Sequence, residues 1–239
     1  SLTYAIGIVN SGEAAVTDLT VEDDLGAVAF GAATLRALTN EEGSVLYYRN
    51  GAAQPAPAVT ADAGGLTFTG ISVPAGGDAV LIYRATVSPY AAPGAGGTIT
   101  NTVSVRNGTV GPVTAEETVS AAAAPRLTID KGLAPRTVTE NGRVTYTFTI
   151  NNLGNTAAAA TDDITVTDTF LPVLRDLVVT LDGETLTAGT DYTYAPATGE
   201  FATAAGGITV PAAAFTQNAT TGAWQTVPGT AVLTVTGTI

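Results

Sequence analysis

The sequence predicts an all-β fold of two tandem sandwich domains, from an internal repeat, an alternation of apolar and polar residues, and a strand-favouring composition. Leu2–Leu25 reads LTYAIGIVNSGEAAVTDLTVEDDL, and Val144–Phe170 reads VTYTFTINNLGNTAAAATDDITVTDTF. Tyr4 aligns with Tyr146, Asn10 with Asn152 and Gly12 with Gly154. After a three-residue insertion, Thr20-Val21-Glu22-Asp23 aligns with Thr165-Val166-Thr167-Asp168. A repeat of this length marks two copies of one structural unit. Each copy opens with T-Y-x-[IF]-x-I-x-N, in which apolar and polar residues take turns as a half-buried strand requires. A turn built on Asn and Gly and a second strand ending on Asp complete a hairpin signature. The 239 residues are 45% hydrophobic and 13% charged. They are rich in Ala, Thr, Val and Gly and poor in Lys, Glu, Gln and Met, which favours strands and turns over helices.

Divided by the repeat, the chain gives two domains of the size typical of an immunoglobulin-like β-sandwich, expected at residues 1–125 and 126–239. The first continues through Gly43–Val59, where Asn50-Gly51 between apolar runs signals a type I′ turn. Asp182-Gly183 holds the same place in the second. Gly70-Ile71-Ser72-Val73-Pro74-Ala75 reappears as Gly207-Ile208-Thr209-Val210-Pro211-Ala212, and Ala79-Val80-Leu81 as Ala231-Val232-Leu233. After the strand Glu117–Ser120, Ala121-Ala122-Ala123-Ala124-Pro125 reads as a short extended linker, because Pro125 cannot extend a helix and disfavours the α region for Ala124. Arg126–Leu133, RLTIDKGL, is the expected first strand of the second domain, with a turn at Asn141-Gly142 before the repeat. The ends do not match. The first domain has a strand Gly97–Val105 that the second lacks by Ile239, and the second has RLTIDKGL where the first opens one strand later.

A net charge of −12 repels a phosphate backbone, which argues against nucleic-acid binding. No apolar run approaches the roughly 20 residues of a membrane-spanning helix, and no charged region precedes the first strand as in a signal peptide. Without Cys, no disulfide staples the domains. Without His, neither a Ser-His or Cys-His nucleophile system nor an imidazole metal site can be built. Glu22-Asp23-Asp24 and Asp162-Asp163 offer paired carboxylates, but adjacent strand residues point to opposite faces. Neither cluster has the D-x-[DN]-x-[DN]-G spacing of a calcium loop. We therefore expect no enzyme, no cofactor and no metal. A sugar platform would need exposed aromatics; Tyr47, Tyr48, Tyr192 and Tyr194 stand at strand spacing, which more often means core or cross-strand pairs, and Trp224 is the single Trp.

The T-Y-x-[IF]-x-I-x-N-x-G opening, the T-V-x-D strand end and the closing Ile99-Thr100-Asn101-Thr102-Val103 strand resemble the DUF11-type conserved repeat domain of bacterial surface proteins. The segments Asp191–Tyr194, Thr198–Phe201, Ile208–Ala213 and Val232–Ile239 are similar to secreted or surface proteins of Gram-positive anaerobes. The resemblance implies immunoglobulin-like sandwiches, an extracellular or cell-surface location, and a structural or adhesive role. It also implies that a strand bearing Asn, followed by one bearing Lys, precedes the equivalent of Ser1 in relatives.

Lys131 is the only lysine, against eight arginines, and shares a strand face with Leu127 and Ile129, so the pattern points it inward. A buried lysine is costly unless neutralised or paired. The resemblance to Gram-positive pilins and adhesins implies one resolution, an intramolecular Lys–Asn isopeptide bond with a carboxyl group between the partners. Asp168 is the expected carboxyl in the second domain, with Glu140 as a second choice, and Asp23 is its equivalent in the first. Asn101 is the amide of the first domain, which has no Lys before Tyr4; the second has Lys131 and ends before its Asn-bearing strand. The competing reading leaves Lys131 at a sheet edge, reaching water or pairing with Asp168. The function expected is a structural subunit of a filament or surface layer, partnered by other copies of itself head to tail through an edge strand. The alternative is an adhesin domain that holds a glycan or host protein on its loops.

Overall fold

The computed structural model describes residues 1–239, and the chain is all-β: several antiparallel sheets, with one short 3₁₀ turn at Ala160–Asp162. No helix is long and apolar enough to cross a membrane. The chain divides into two compact units, Ser1–Ala121 with Gln217–Trp224, and Ala122–Thr216 with Gln225–Ile239.

In the first unit the strands are β1 (Leu2–Asn10), β2 (Val16–Asp23), β3 (Ala27–Phe30), β4 (Ala33–Arg36), β5 (Leu38–Asn40), β6 (Leu46–Arg49), β7 (Ala52–Gln54), β8 (Ala58–Asp62), β9 (Gly65–Val73), β10 (Gly77–Val87), β11 (Thr98–Arg106) and β12 (Val113–Ser120). One sheet runs β1-β10-β6-β7, with β5 also on β10; the other runs β12-β11-β2-β9-β8. Both contribute to a single core, in which Ile6, Leu81 and Tyr83 from the first sheet meet Val21, Phe68 and Ile71 from the second. The alternation along each strand produces this arrangement: in β10, Ala79, Leu81, Tyr83 and Ala85 are buried while their neighbours are not. The β6–β7 turn has Asn50 at φ 46° and Gly51 at φ 76°, the left-handed pair a type I′ hairpin requires.

The second unit contains β13 (Leu127–Ala134), β14 (Arg143–Asn152), β15 (Thr167–Thr169), β16 (Arg175–Leu181), β17 (Glu184–Thr185), β18 (Tyr192–Ala195), β19 (Glu200–Thr203) and β22 (Gly229–Thr238), with most of β20 (Ala214–Gln217) and β21 (Trp224–Val227), whose end residues Gln217 and Trp224 group with the first unit. Its larger sheet runs β13-β14-β22-β16-β17, a three-stranded sheet runs β15-β19-β18, and β20 pairs β21. Phe148, Val235 and Val179 meet Phe170, Phe201 and Ile208 in its core. The Asp182-Gly183 turn, at φ 50° and 90°, repeats the turn of the first unit.

The repeats occupy matching places. Tyr4 pairs with Tyr83 across β1 and β10, and Tyr146 with Val235 across β14 and β22. Asp23 pairs with Leu66 of β9, and Asp168 with Phe201 of β19. Two elements break the correspondence: β1 has no strand on its outer side, whereas β14 has β13 there, and β15 has no strand where β2 has β11. The Ala121–Pro125 segment is in no helix or strand.

Candidate functional site

Each unit places an aspartate at the same point of the sandwich, and the two are surrounded differently. In the first, the chain turns at the end of β2, so Glu22 faces outward to Arg106 of β11, at 2.6 Å, while Asp23 faces the core at 1% exposure. Asp24 caps the turn, accepting from the N–H groups of Gly26 and Thr102 at 2.9 Å each. Asp23 Oδ1 accepts from the Leu25 N–H at 2.9 Å. Its Oδ2 accepts from the Tyr83 hydroxyl at 2.8 Å and from Asn101 Nδ2 at 2.9 Å. Asn101, itself buried, accepts through Oδ1 from the Gly26 N–H at 2.9 Å and donates also to the Tyr83 hydroxyl at 3.1 Å. Gly26 is at φ 66°, and a Cβ there would come within 2.6 Å of Ile99 Cγ2, so glycine is what lets this N–H approach the amide. Burial pushes the Asp23 carboxyl above the usual carboxylate range, against the hydrogen bonds that pull it down. Burial, reinforced by the Asp23 charge, pushes both Tyr83 and Tyr4 upward, and the Tyr4 ring stacks on Tyr83 at 5.4 Å.

In the second unit, Asp168 is joined by Lys131. The Lys131 ammonium pairs with Asp168 Oδ2, and Oδ1 accepts from the Thr169 N–H at 2.8 Å. The ammonium lies 5.0 Å from the Tyr146 ring centre, 5.6 Å from Phe148 and 5.8 Å from Phe170, all on the core side. Lys131 stands opposite Phe148 in the β13–β14 ladder, flanked on its face by Ile129 and Leu133. The face of β13 expected to point inward does so, yet it is uncovered: 45% of the Lys131 side chain is exposed, as are Ile129 at 54% and Leu133 at 40%.

The structure thus brings Lys131 to Asp168 and Asn101 to Asp23, with one pair in each unit. Glu140 is exposed and is not the partner of Lys131. Asp162 accepts from the Ala159 N–H at 2.7 Å, a local turn contact. Tyr47 and Tyr192 are core residues, and Tyr194 is half-buried with its hydroxyl on the Leu174 backbone. Reasoning from sequence missed Tyr83 and Gly26. Tyr83 was accessible: counting by twos from Ala79 and Leu81 puts it on the core face. Gly26 carried no signal beyond its position after an acidic turn.

No protein-family model and no curated protein matches the chain. Among solved structures, a point mutant of the CFA/I adhesin CfaE of enterotoxigenic E. coli is similar at 12% identity with a TM-score of 0.26, covering 99% of this chain and 82% of that one. A chimeric titin Z1Z2 tandem bearing a fibronectin-derived peptide is similar at 16% identity and a TM-score of 0.13, covering 77% and 80%.

Proposed function

We propose that the chain is a non-enzymatic structural subunit of an extracellular or cell-surface filament or layer, two immunoglobulin-like sandwiches in tandem that polymerise head to tail by exchanging a β-strand between copies. The observation that carries this reading is the open side of the second unit. Leu127, Ile129 and Leu133 present an exposed apolar row on β13, and β15 pairs on one side only, with β19. An apolar face beside a free strand edge is a site for strand addition, since the incoming backbone pairs with the edge while its alternate side chains cover the face. The first unit supplies the template: β11 pairs with β2 at the matching edge, and its Ile99 and Asn101 are buried. The occupant proposed for the second unit is an extended segment of a neighbouring copy with the same alternation. Such a contact joins two different surfaces, so it propagates rather than closing into a dimer. Against the adhesin alternative, the aromatics that would hold a sugar are taken up by packing at Tyr47, Tyr192 and Tyr194.

Electron microscopy and light scattering of the native material are the test, with filaments or sheets as the expected result. Material that stays monomeric at every concentration would overturn the reading. A synthetic Thr98–Arg106 peptide should also bind the second unit and shorten the polymers as a chain terminator.

A further inference from the structure

The alanine run between the repeats, which reads from sequence as an extended linker, is built into the second unit from Ala122 onward. We propose that Ala122–Arg126 is a releasable latch, docked in a receiver made by Asn152, Gly154 and Asn155, and that its release exposes the alanines to an endoprotease that cuts after small residues. This is independent of the polymer reading, because it concerns contacts inside the second unit and no free strand edge.

The receiver is the turn that follows β14. Asn152, fully buried, holds this turn by donating through Nδ2 to the carbonyls of Thr156 at 2.8 Å and Pro211 at 3.0 Å, while its Oδ1 accepts from the Gly154 N–H at 2.8 Å. Asn10 does the same after β1, donating to the carbonyls of Ala14 and Pro74 and accepting from the Gly12 N–H. The turn alone therefore accounts for the shared Asn and leaves Asn155 unexplained, since the residue aligned with it is Glu13. Asn155 is explained by the latch. Its Oδ1 accepts from the Ala124 N–H at 3.0 Å and its Nδ2 donates to the Ala122 carbonyl at 2.9 Å, so the carboxamide meets the latch backbone as a neighbouring strand would. A glutamate has no donor for that carbonyl. Arg126 completes the docking, its N–H donating to Asn152 Oδ1 at 2.9 Å and its carbonyl accepting from the Leu153 N–H at 2.8 Å.

Gly154 is the floor beneath the latch. A Cβ there would lie 2.3 Å from the Ala124 carbonyl oxygen, 2.5 Å from the Arg126 nitrogen and 2.7 Å from the Pro125 carbonyl carbon, so only a residue without a side chain admits this backbone. Above that floor the latch is open to solvent. Residues Ala122–Arg126 are all exposed and none of them enters the apolar core. A segment held by exposed hydrogen bonds, with few apolar contacts, opens locally at far lower cost than the sandwich unfolds. A protease takes its substrate as an extended strand and bonds to its main-chain groups. While Asn155 occupies the Ala122 carbonyl and the Ala124 N–H, cleavage proceeds only from the released state. On the other side of the run, Ala121 is held within the first unit by its N–H to the Gly97 carbonyl at 2.8 Å. Hydrolysis adds water across one alanine peptide bond, leaving a carboxylate on one residue and an amine on the next, and divides the chain between its two units.

The experiment treats the 239-residue chain with pancreatic elastase, which cuts after alanine, beside a blocked peptide of residues Ser120–Leu127, and follows by mass the products cut within Ala121–Ala124. The parent chain should be cut there roughly tenfold or more slowly than the peptide, since cleavage follows the population of the released state. Asn155→Ala, its fold checked by circular dichroism, should be cut at the run roughly tenfold faster than the parent. Gly154→Ala should be cut faster still, and hydrogen exchange at the Ala124 amide should quicken in both variants. If Gly154→Ala does not fold, Asn155→Ala carries the test. A parent chain cut as fast as the peptide overturns the proposal. So does a folded Asn155→Ala cut no faster than the parent, an Ala124 amide that exchanges equally in both, or the absence of any cut at the run in parent and variants alike.

Discussion

In the first unit β2 is hydrogen-bonded on both sides, by β9 and β11, and runs for eight residues; its counterpart β15 pairs only with β19 and runs for three. At the opposite face the relation is reversed. There β14 is flanked by β13 and β22, whereas β1 pairs with β10 alone. Each unit therefore has a strand with no counterpart in the other, and the carboxyl groups differ as well: Asp23 is enclosed by neutral hydrogen-bond donors, Asp168 is paired with the ammonium of a lysine whose side chain is 45% exposed. Both cores are built from the shared part of the repeat, its central strands and their aromatic residues, and what differs is the environment of one point common to both units, the aspartate at the end of the T-V-x-D segment.

The largest expected difference between the two units comes from truncating each aspartate in turn. Asp23→Ala leaves Tyr83, Asn101 and the Leu25 N–H facing a void without their acceptor. At about 1–3 kcal/mol for a buried group left unsatisfied, we expect a total loss of about 3 kcal/mol or more. Asp168→Ala removes an ion pair whose lysine is nearly half exposed and should cost about 1 kcal/mol or less. Denaturant unfolding of the two variants measures both, and similar losses would mean that the carboxyl groups are not differently enclosed.

A strand peptide tests the open edge of the second unit directly. The Thr98–Arg106 peptide should stabilise that unit by about 2.7 kcal/mol when present at a hundredfold its dissociation constant and leave the first unit unchanged. Hydrogen exchange resolved by unit measures the effect, and protection of the first unit, or of neither, would overturn it.

A smaller effect is expected at Lys131 itself. Lys131→Met keeps the stem over Tyr146 and Phe148 and removes the charge, so a change of about 0.5 kcal/mol in either direction is expected, with Lys131→Ala costing more through lost packing. A loss several times larger for Lys131→Met in thermal unfolding would mean that the ion pair carries the stability of this edge.

Much of the fold was legible in the sequence because it depends on period and punctuation. The alternation placed β1 and β14, Asn50-Gly51 and Asp182-Gly183 fixed two hairpins, and counting by twos put Lys131 on the core-side face of β13. The exposure of that face was not legible, since it depends on strands supplied from elsewhere in the fold rather than on the residues of β13. The T-V-x-D segment illustrates the same limit: Thr165 and Val166 have strand composition, yet only Thr167–Thr169 enters a ladder, because a strand needs a neighbour to count as one. The insertions β3–β4 and β20–β21 fall outside the repeat and had no counterpart to reveal them. Gly26 illustrates a third kind of loss, since its role is set by the approach of Ile99 and Asn101 from a strand some seventy residues away in sequence.

The smallest expected effect, and the most specific to the enclosed carboxyl, is on pH dependence. Asp23 is held above its ordinary range first by burial, and then by the neighbouring Asp24 charge; the Leu25 N–H, Tyr83 and Asn101 oppose the shift without cancelling it. Tyr4 faces the same charge. A carboxyl raised in the folded state binds its proton there at a pH where the unfolded chain has released it, so stability falls as pH rises through the interval above about 3.9, the unfolded value. Acidification from neutrality toward that value therefore strengthens the first unit through Asp23. Glu22 acts in the opposite sense: its hydrogen bonds to Arg106 hold it below its ordinary value, so its contribution is present at neutral pH and lost on acidification through its lowered value. The two are separable because Asp23→Asn cancels only the first. Subtracting the stability of Asp23→Asn from that of the parent chain at each pH should give a difference that moves in the parent's favour as pH falls from about 7 toward about 4. A flat difference, or one that moves against the parent on acidification, would mean that Asp23 is not held above its ordinary range.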